Sequence, residues 1–296
     1  MRIAISGATG LVGSSFAAAL KAEGAQVARL VRKNPLEDDV LWDPRANSFD
    51  AESLAGCDAV VHLAGENIAT GRWNAEKKKR IRSSRVQGTQ ILAEGLAAAE
   101  RKPPVLISAS AIGFYGDAGN TMLTEQSPAG TDFLAEVCQA WETATQPARD
   151  AGIRVVNLRI GVVLSKEGGA LAKMLTPFRL GFGGRIGNGK QYWSWITLAD
   201  LIGVIRHAIR CESLAGPLNA VAPGSVTNAE FTKILGKVLK RPTLFPLPAF
   251  AARLMLGEMA DPLLLASARI SSERLEQSGY TFQFSELEAA FRGVIG

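Results

Sequence analysis

Very little in this chain points to an oxidising compartment, a membrane or a metal. Its 296 residues include three cysteines, Cys57, Cys138 and Cys211. They are odd in number, far apart and never in C-x-x-C spacing, which argues against a disulfide framework and against a zinc site. No metal is expected. No stretch approaches the roughly 18 consecutive apolar residues of a membrane span. The opening Met1-Arg2-Ile3-Ala4-Ile5-Ser6 runs into glycine too soon to hold the hydrophobic region of a secretory signal. A cytoplasmic, reducing location with no membrane partner is the expectation.

Excess charge of one sign is also small. The net charge is +5, and much of the excess lies in Lys77-Lys78-Lys79-Arg80 with Arg82 and Arg85. No aromatic side chains interleave with these cations, as a stacking platform for nucleic acid requires. The run therefore reads as a solvated helix face, and nucleic acid is not an expected partner.

What is present is ordinary globular composition, 47% hydrophobic and 21% charged, enough for one large domain with an appended lobe or for two domains. Short apolar runs at 3–6, 27–31, 59–63, 105–108 and 155–158 alternate with longer helix-like stretches. That alternation predicts an α/β fold, a Rossmann-type doubly wound parallel sheet over residues 1–164, with the sheet completed by later segments. After residue 164 comes a glycine-dense loop, Gly181-Phe182-Gly183-Gly184-Arg185-Ile186-Gly187-Asn188-Gly189. Helices are expected at 198–210, 228–239, 250–256 and 284–294, and a strand and turn at 217–223. These segments predict a smaller mixed α/β lobe over 165–296, with a distinct C-terminal region from about residue 240.

The strongest motif is Gly7-Ala8-Thr9-Gly10-Leu11-Val12-Gly13, placed between the first strand and an amphipathic helix. The first glycine permits the tight turn, the second lets a pyrophosphate approach the backbone, and the third lets the helix pack on the strand. The helix N-terminus then offers unpaired N–H groups and partial positive charge. Gly7, Thr9, Gly10, Leu11 and Gly13 are the candidate phosphate contacts. The second strand is followed by Arg32 and Lys33, where an NAD-binding protein more often places an acid for the ribose. The planar guanidinium of Arg32 suits a 2'-phosphate, so the expected cofactor is NADP(H). Glu37, Asp38 and Asp39 lie beyond Pro35, in a loop.

Several further runs carry a resemblance. They include Asp58-Ala59-Val60-Val61-His62-Leu63-Ala64-Gly65, Gly88-Thr89, Ser108-Ala109-Ser110 and Tyr115-Gly116. Together with the glycine motif they resemble the extended short-chain dehydrogenase/reductases, which include nucleotide-sugar epimerases and dehydratases. Gly71-Arg72-Trp73, Ser84-Arg85-Val86, Trp141-Glu142, Arg159-Ile160-Gly161 and Gly189-Lys190-Gln191 look like an atypical epimerase-like subfamily, also described as nucleoside-diphosphate-sugar epimerase-like or cell-division-inhibitor-like. The resemblance implies that Leu63, Ala64, Gly65 and Glu66 border the cofactor, with Ser108 and Ser110 beside the nicotinamide. His62, inside an apolar strand, reads as a hydrogen-bonded core histidine.

One expected feature is missing. Enzymes of that superfamily rely on a Tyr-x-x-x-Lys pair one helical turn apart, and here Leu134 and Cys138 stand in those places. Ser110 and Tyr115 are the remaining catalytic candidates, and Cys138 reads as packing. On the substrate side, Tyr192-Trp193-Ser194 replaces an arginine-bearing run, with Arg185 and Lys190 as nearby cations. Arg185 and Trp193 are therefore the candidate substrate contacts, Trp193 as part of an aromatic surface. Two readings remain open: an NADP(H)-dependent oxidoreductase or epimerase acting on a small carbonyl or hydroxyl compound, and a non-catalytic NADP(H)-sensing regulator.

Overall fold

A computed structural model describes residues 1–296. Its main sheet has eight strands: β1 (Arg2–Ser6), β2 (Gln26–Val31), β3 (Val40–Asp43), β4 (Ser48–Phe49), β5 (Ala59–His62), β6 (Val105–Ala111), β7 (Arg154–Ile160) and β8 (Gly216–Ala220). Their spatial order is β8-β7-β6-β5-β1-β2-β3-β4. All neighbours are parallel except β3 and β4, which make an antiparallel edge. The five strands read from apolar runs are β1, β2, β5, β6 and β7. Those runs are nearly continuous because helices cover both faces, and every residue of β5 is buried. β3 and β4 are four and two residues long, too short for an alternation signal.

The chain begins in the middle of the sheet, builds outward to β4, then crosses back to β5 beside β1 and builds to β8. This reversal opens a crevice at the carboxyl ends of β1 and β5, where doubly wound sheets take their ligands. On one face α1 (Leu11–Ala22) buries Phe16 and Leu20 against Ile3, Ile5 and Val61. The helix Leu198–Arg210 joins that face through Leu201, Val204, Ile205 and Ala208, the spacing of a single helical stripe. On the other face α2 (Ala75–Ala98) sets Leu92 and Leu96 over Ala4, Val60 and Leu106. Each fully buried Leu, Ile or Phe contributes about 1.5–3 kcal/mol. A polar residue at Phe16 or Leu92 would therefore unpin a helix, and with it the strand ends that frame the crevice.

A second core forms the smaller lobe, where Phe178, Trp193, Trp195, Phe231 and Phe291 pack together. Its helices are Gly169–Arg179, Asn228–Leu239 and Leu287–Ile295. The second begins with a capping box: Thr227 Oγ1 accepts from the Glu230 amide, and the Glu230 carboxylate accepts from the Thr227 amide. Between these segments the chain returns to the large sheet as helix Leu198–Arg210 and β8. The sequence does not announce helix Gly169–Arg179, because Gly168, Gly169 and Pro177 read as breakers. No helix is long and apolar enough to cross a membrane.

Candidate functional site

The glycine loop is built around backbone contacts that leave no room for side chains. A Cβ on Gly13 would lie 2.2 Å from the Gly7 carbonyl oxygen, and one on Gly7 would lie 2.8 Å from the Ala64 amide. Gly7 also holds φ +70°, in the left-handed region that favours glycine. The carboxyl ends of β1 and β5 are thus in backbone contact. Gly10 is the N-cap of α1, no side chain caps that end, and no acid lies in its first turn. The first-turn N–H groups therefore remain open to an anion. Thr9 and Gly10 are exposed at this mouth, while the half-buried Leu11 reaches across to Gly168 in the smaller lobe. A dinucleotide pyrophosphate fits this cradle.

Beneath the loop sits His62. Ser6 Oγ accepts from the amides of Leu63 at 3.1 Å and Ala64 at 3.3 Å, so its own proton goes to His62 Nδ1, 2.6 Å away. The imidazole keeps its proton on Nε2 and donates it to Thr89 Oγ1 of α2 at 2.9 Å. His62 is thus a strut joining β1, β5 and α2. Burial pushes its pKa from 6.5 down to about 4. The folded state needs the neutral ring, while the unfolded chain takes up a proton below pH 6.5. This contribution is therefore complete above pH 6.5, falls as pH drops towards 4, and amounts to about 3 kcal/mol over that window. Urea unfolding of wild type and His62→Gln at pH 7 and pH 4.5 checks this. The wild type should lose more stability on acidification, and parallel losses would remove His62 as the cause.

Arg32 follows β2 directly, exposed and without an ion-pair partner. The nearby acid Asp39 is committed elsewhere. Its carboxylate takes two hydrogen bonds from Arg29, at 2.8 and 2.6 Å, and one from the Leu36 amide at 3.0 Å. The Arg29 guanidinium holds the Asp39 carboxyl below its ordinary range. Asp39 is therefore not free to cancel Arg32, which forms no ion pair.

On the other side of the crevice, the loop after β5 carries Leu63, Ala64, Gly65 and Glu66. The structure corrects the reading of the basic run here. Lys77 is buried and donates to Glu66 Oε1 at 2.7 Å, and Arg80 lies 3.7 Å from the same oxygen. Arg85 lies over the Trp141 ring, 5.0 Å from its centroid, and donates to the Glu66 carbonyl at 3.0 Å. Two of the six cations therefore turn inward. They fix the loop because α2 begins directly above it, with Asn74 capping the helix through the Lys77 amide at 2.8 Å. Lys77 and its neighbours hold the Glu66 carboxyl below the usual carboxylate range.

Ser110 and Tyr115 enter a buried network at the carboxyl ends of β6, β7 and β8. Ser110 Oγ donates to Glu142 Oε1 at 2.7 Å. Arg159 grips the same carboxylate through Nε and Nη2, both at 2.9 Å. Its Nη1 donates to the Tyr115 hydroxyl at 2.9 Å, and that hydroxyl donates to Asn219 Oδ1 at 2.6 Å. Tyr115 is only 3% exposed, and burial raises its pKa. Its phenol is a buried tie between β7 and β8; it does not project freely into the cleft. Ser108 is fully buried beside His62 in register, its hydroxyl 3.5 Å from the Ala109 carbonyl.

The helix α3 (Phe133–Thr143) carries Leu134 and Cys138 where a tyrosine and lysine are missing. Both pack on Gly113, and burial, reinforced by the Glu142 charge, pushes the Cys138 thiol up to about 12. It stays protonated and serves as packing. Arg185 is exposed on the small lobe. Trp193 is 8% exposed, edge-on to Phe231 with ring centroids 5.0 Å apart, so the expected aromatic surface is the lobe's interior. The sequence reading missed Arg159 and Lys77 as site-forming residues. Arg159 had a usable signal: a charge in the apolar strand Arg154–Ile160 must find a buried partner. Lys77 had none, because nothing in sequence sets it apart from Lys78 and Lys79, neither of which is buried.

Comparison with known proteins agrees with this geometry. The pattern of the NAD dependent epimerase/dehydratase family matches residues 3–218, and residues 247–294 match a domain of unknown function, DUF1731. An epimerase family protein of Mycobacterium leprae is 43% identical over 289 residues, covering 97% of this chain and 94% of that protein. The crystal structure of human epimerase family protein SDR39U1 with NADPH superposes with a TM-score of 0.92 at 37% identity, covering 99% of both chains. A nucleoside-diphosphate sugar epimerase from Corynebacterium glutamicum superposes with a TM-score of 0.83 at 41% identity, covering all of this chain and 58% of that one. A family pattern spanning most of the chain, with relatives this similar along its whole length, makes this protein a member of the NAD dependent epimerase/dehydratase family.

Proposed function

We propose that the protein binds NADP(H) in the crevice between β1 and β5 and uses it in a redox step on a small carbonyl or hydroxyl compound. The observation that carries the cofactor is Arg32, a free guanidinium at the tip of β2 beside an open, side-chain-free phosphate cradle. The human relative crystallised with NADPH supports it. Gly7, Thr9, Gly10, Leu11 and Gly13 would receive the pyrophosphate; Leu63, Ala64, Gly65 and Glu66 would border the ribose, with Ser108 supporting the far end from within the sheet. The bound nicotinamide supplies or accepts hydride, while the protein orients and exchanges protons. Ser110 is the group proposed to meet the substrate oxygen. Glu142, fixed by Arg159, holds the Ser110 hydroxyl, and Tyr115 braces Arg159. The larger lobe carries the cofactor and the smaller lobe the substrate. The three free cysteines fit a reducing compartment such as the cytoplasm.

A second reading, an NADP(H)-responsive binding protein without turnover, is favoured by one observation: Leu134 and Cys138 pack where proton-transfer groups would stand. One titration and one screen test both. Arg32→Asp should weaken NADPH about tenfold to a hundredfold more than NADH, since hydrogen bonds to charged groups contribute about 1.5–3 kcal/mol. Equal losses would remove Arg32 as a reader of the 2'-phosphate. NADPH oxidation across a panel of carbonyl compounds, lost in Ser110→Ala at unchanged NADPH affinity, supports the enzyme. Tight NADPH binding with no turnover across the panel supports the sensor.

A further inference from the structure

Eleven large hydrophobic side chains are exposed on this fold, and seven of them lie in two short segments. Leu180 and Phe182 stand in one, and Leu244, Phe245, Phe250, Leu254 and Met255 in the other, each 57–75% exposed. The segments form one built surface. The rings of Phe182 and Phe245 lie 5.8 Å apart, the Leu247 amide donates to the Arg185 carbonyl at 2.8 Å, and the Gly187 amide donates to the Leu247 carbonyl at 2.8 Å. Gly184 permits this approach, since a Cβ there would sit 1.9 Å from the Phe245 carbonyl oxygen. The helix Ala249–Leu256 follows at once. Phe250 and Leu254, one turn apart, face outward, while Ala252 is buried and Leu256 packs among Trp73, Phe133 and Leu134.

Within these two segments the charge has one sign. Residues 179–190 and 240–256 contain Arg179, Arg185, Lys190, Lys240, Arg241 and Arg253, and neither aspartate nor glutamate. All six are exposed, and only Arg253 is ion-paired, with Asp261. Arg241 Nε donates to the Arg179 carbonyl at 2.9 Å, which brings the two side by side next to Leu180. A second copy of this chain would set two such basic rims against each other, and like charges across an interface oppose docking. A purely apolar occupant would leave the cations without partners. An anionic lipid surface meets both demands, taking the phenylalanines and leucines into the acyl boundary and the cations against its headgroups.

We propose that this face, formed by 179–190 and 240–256, seats the protein on an anionic phospholipid bilayer as a peripheral contact. It lies on the surface and needs no spanning segment, and it runs against the expectation from sequence that a membrane is not a partner. The proposal is independent of the cofactor assignment. The same helix that would enter the interface packs by its inner face on α3, so the contact adjoins the wall of the candidate site.

Cosedimentation of the full chain with vesicles of phosphatidylcholine, with and without phosphatidylglycerol, tests it. Binding is expected only to the anionic vesicles and should fall as salt rises. Neutralising two cations in Lys240→Gln/Arg241→Gln should weaken partitioning about twenty-fivefold, at roughly fivefold per cation near the surface. Phe250→Ser/Leu254→Ser should abolish it. Far-UV circular dichroism and NADPH titration of each variant report folding and cofactor binding separately, so a failed cofactor reading leaves the vesicle result intact. Equal partitioning by the variants, no preference for anionic lipid, or a dimer in sedimentation equilibrium that Phe250→Ser/Leu254→Ser dissociates would overturn the proposal.

Discussion

Replacing Gly13 with valine should raise the Kd for NADPH by about a hundredfold or more. At that position a Cβ meets the Gly7 carbonyl oxygen at 2.2 Å and the Gly7 carbonyl carbon at 2.8 Å, both backbone atoms that cannot rotate away. Either α1 retreats from β1 or the loop opens. Both movements carry the first-turn N–H groups away from the phosphate, and hydrogen bonds to a charged group contribute about 1.5–3 kcal/mol each. Crowding of this kind also costs about 1–3 kcal/mol of stability. Gly10→Val separates the two effects, because its Cβ would lie 3.3 Å from the Gly7 oxygen and intrude mainly at the exposed mouth. Fluorescence titration with NADPH beside thermal unfolding should show binding lost in both variants and stability lost chiefly in Gly13→Val. Wild-type affinity in either would refute the phosphate cradle.

The second large effect concerns the network that holds Ser110. Arg159 and Glu142 expose only 4% and 12% of their side chains, and three of the hydrogen bonds at this carboxylate lie between 2.7 and 2.9 Å. Arg159→Met leaves Glu142 buried without its cation and should destabilise the fold by about 3–5 kcal/mol. It also frees the Tyr115 hydroxyl from its donor and removes the guanidinium that lies 3.4 Å from the Phe114 ring centroid. The double variant Arg159→Met/Glu142→Gln should recover part of that loss, because it removes the unpaired charge along with its partner. Urea unfolding of the two single variants and the double variant measures the coupling. Strict additivity would show that the pair is no more than two independent contacts.

These two effects differ in how much of each could be read from sequence. The glycines at 7, 10 and 13 were legible because strand, turn and helix are contiguous there, and spacing alone determines which atoms meet. Arg32 was legible for the same reason, being one residue past β2. The Ser110 network was not. Ser110, Glu142, Arg159 and Asn219 come from β6, α3, β7 and β8, and only the parallel register, with Ser110 beside Arg159 and Arg159 beside Asn219, brings them together. Tyr115 stood as a catalytic candidate by its place after β6, and only that register brings Arg159 and Asn219 onto its oxygen. Trp193 looked like a ligand surface because nothing local says that Phe231 will cover it.

Local pattern thus determined the doubly wound sheet, the glycine loop between β1 and α1 and the absence of a Tyr-x-x-x-Lys pair, because these depend on neighbours a few residues apart and on strands long enough to show their burial. Tertiary structure alone decided which charges are spent. Asp39 goes to Arg29, Lys77 to Glu66 and Glu142 to Arg159, while Arg32 stays free. A charge costs too much to bury without a partner, and the fold chooses that partner from segments 10 to 17 residues away. The same packing brings Phe182 against Phe245, far apart in sequence, on an exposed face bordered by cations.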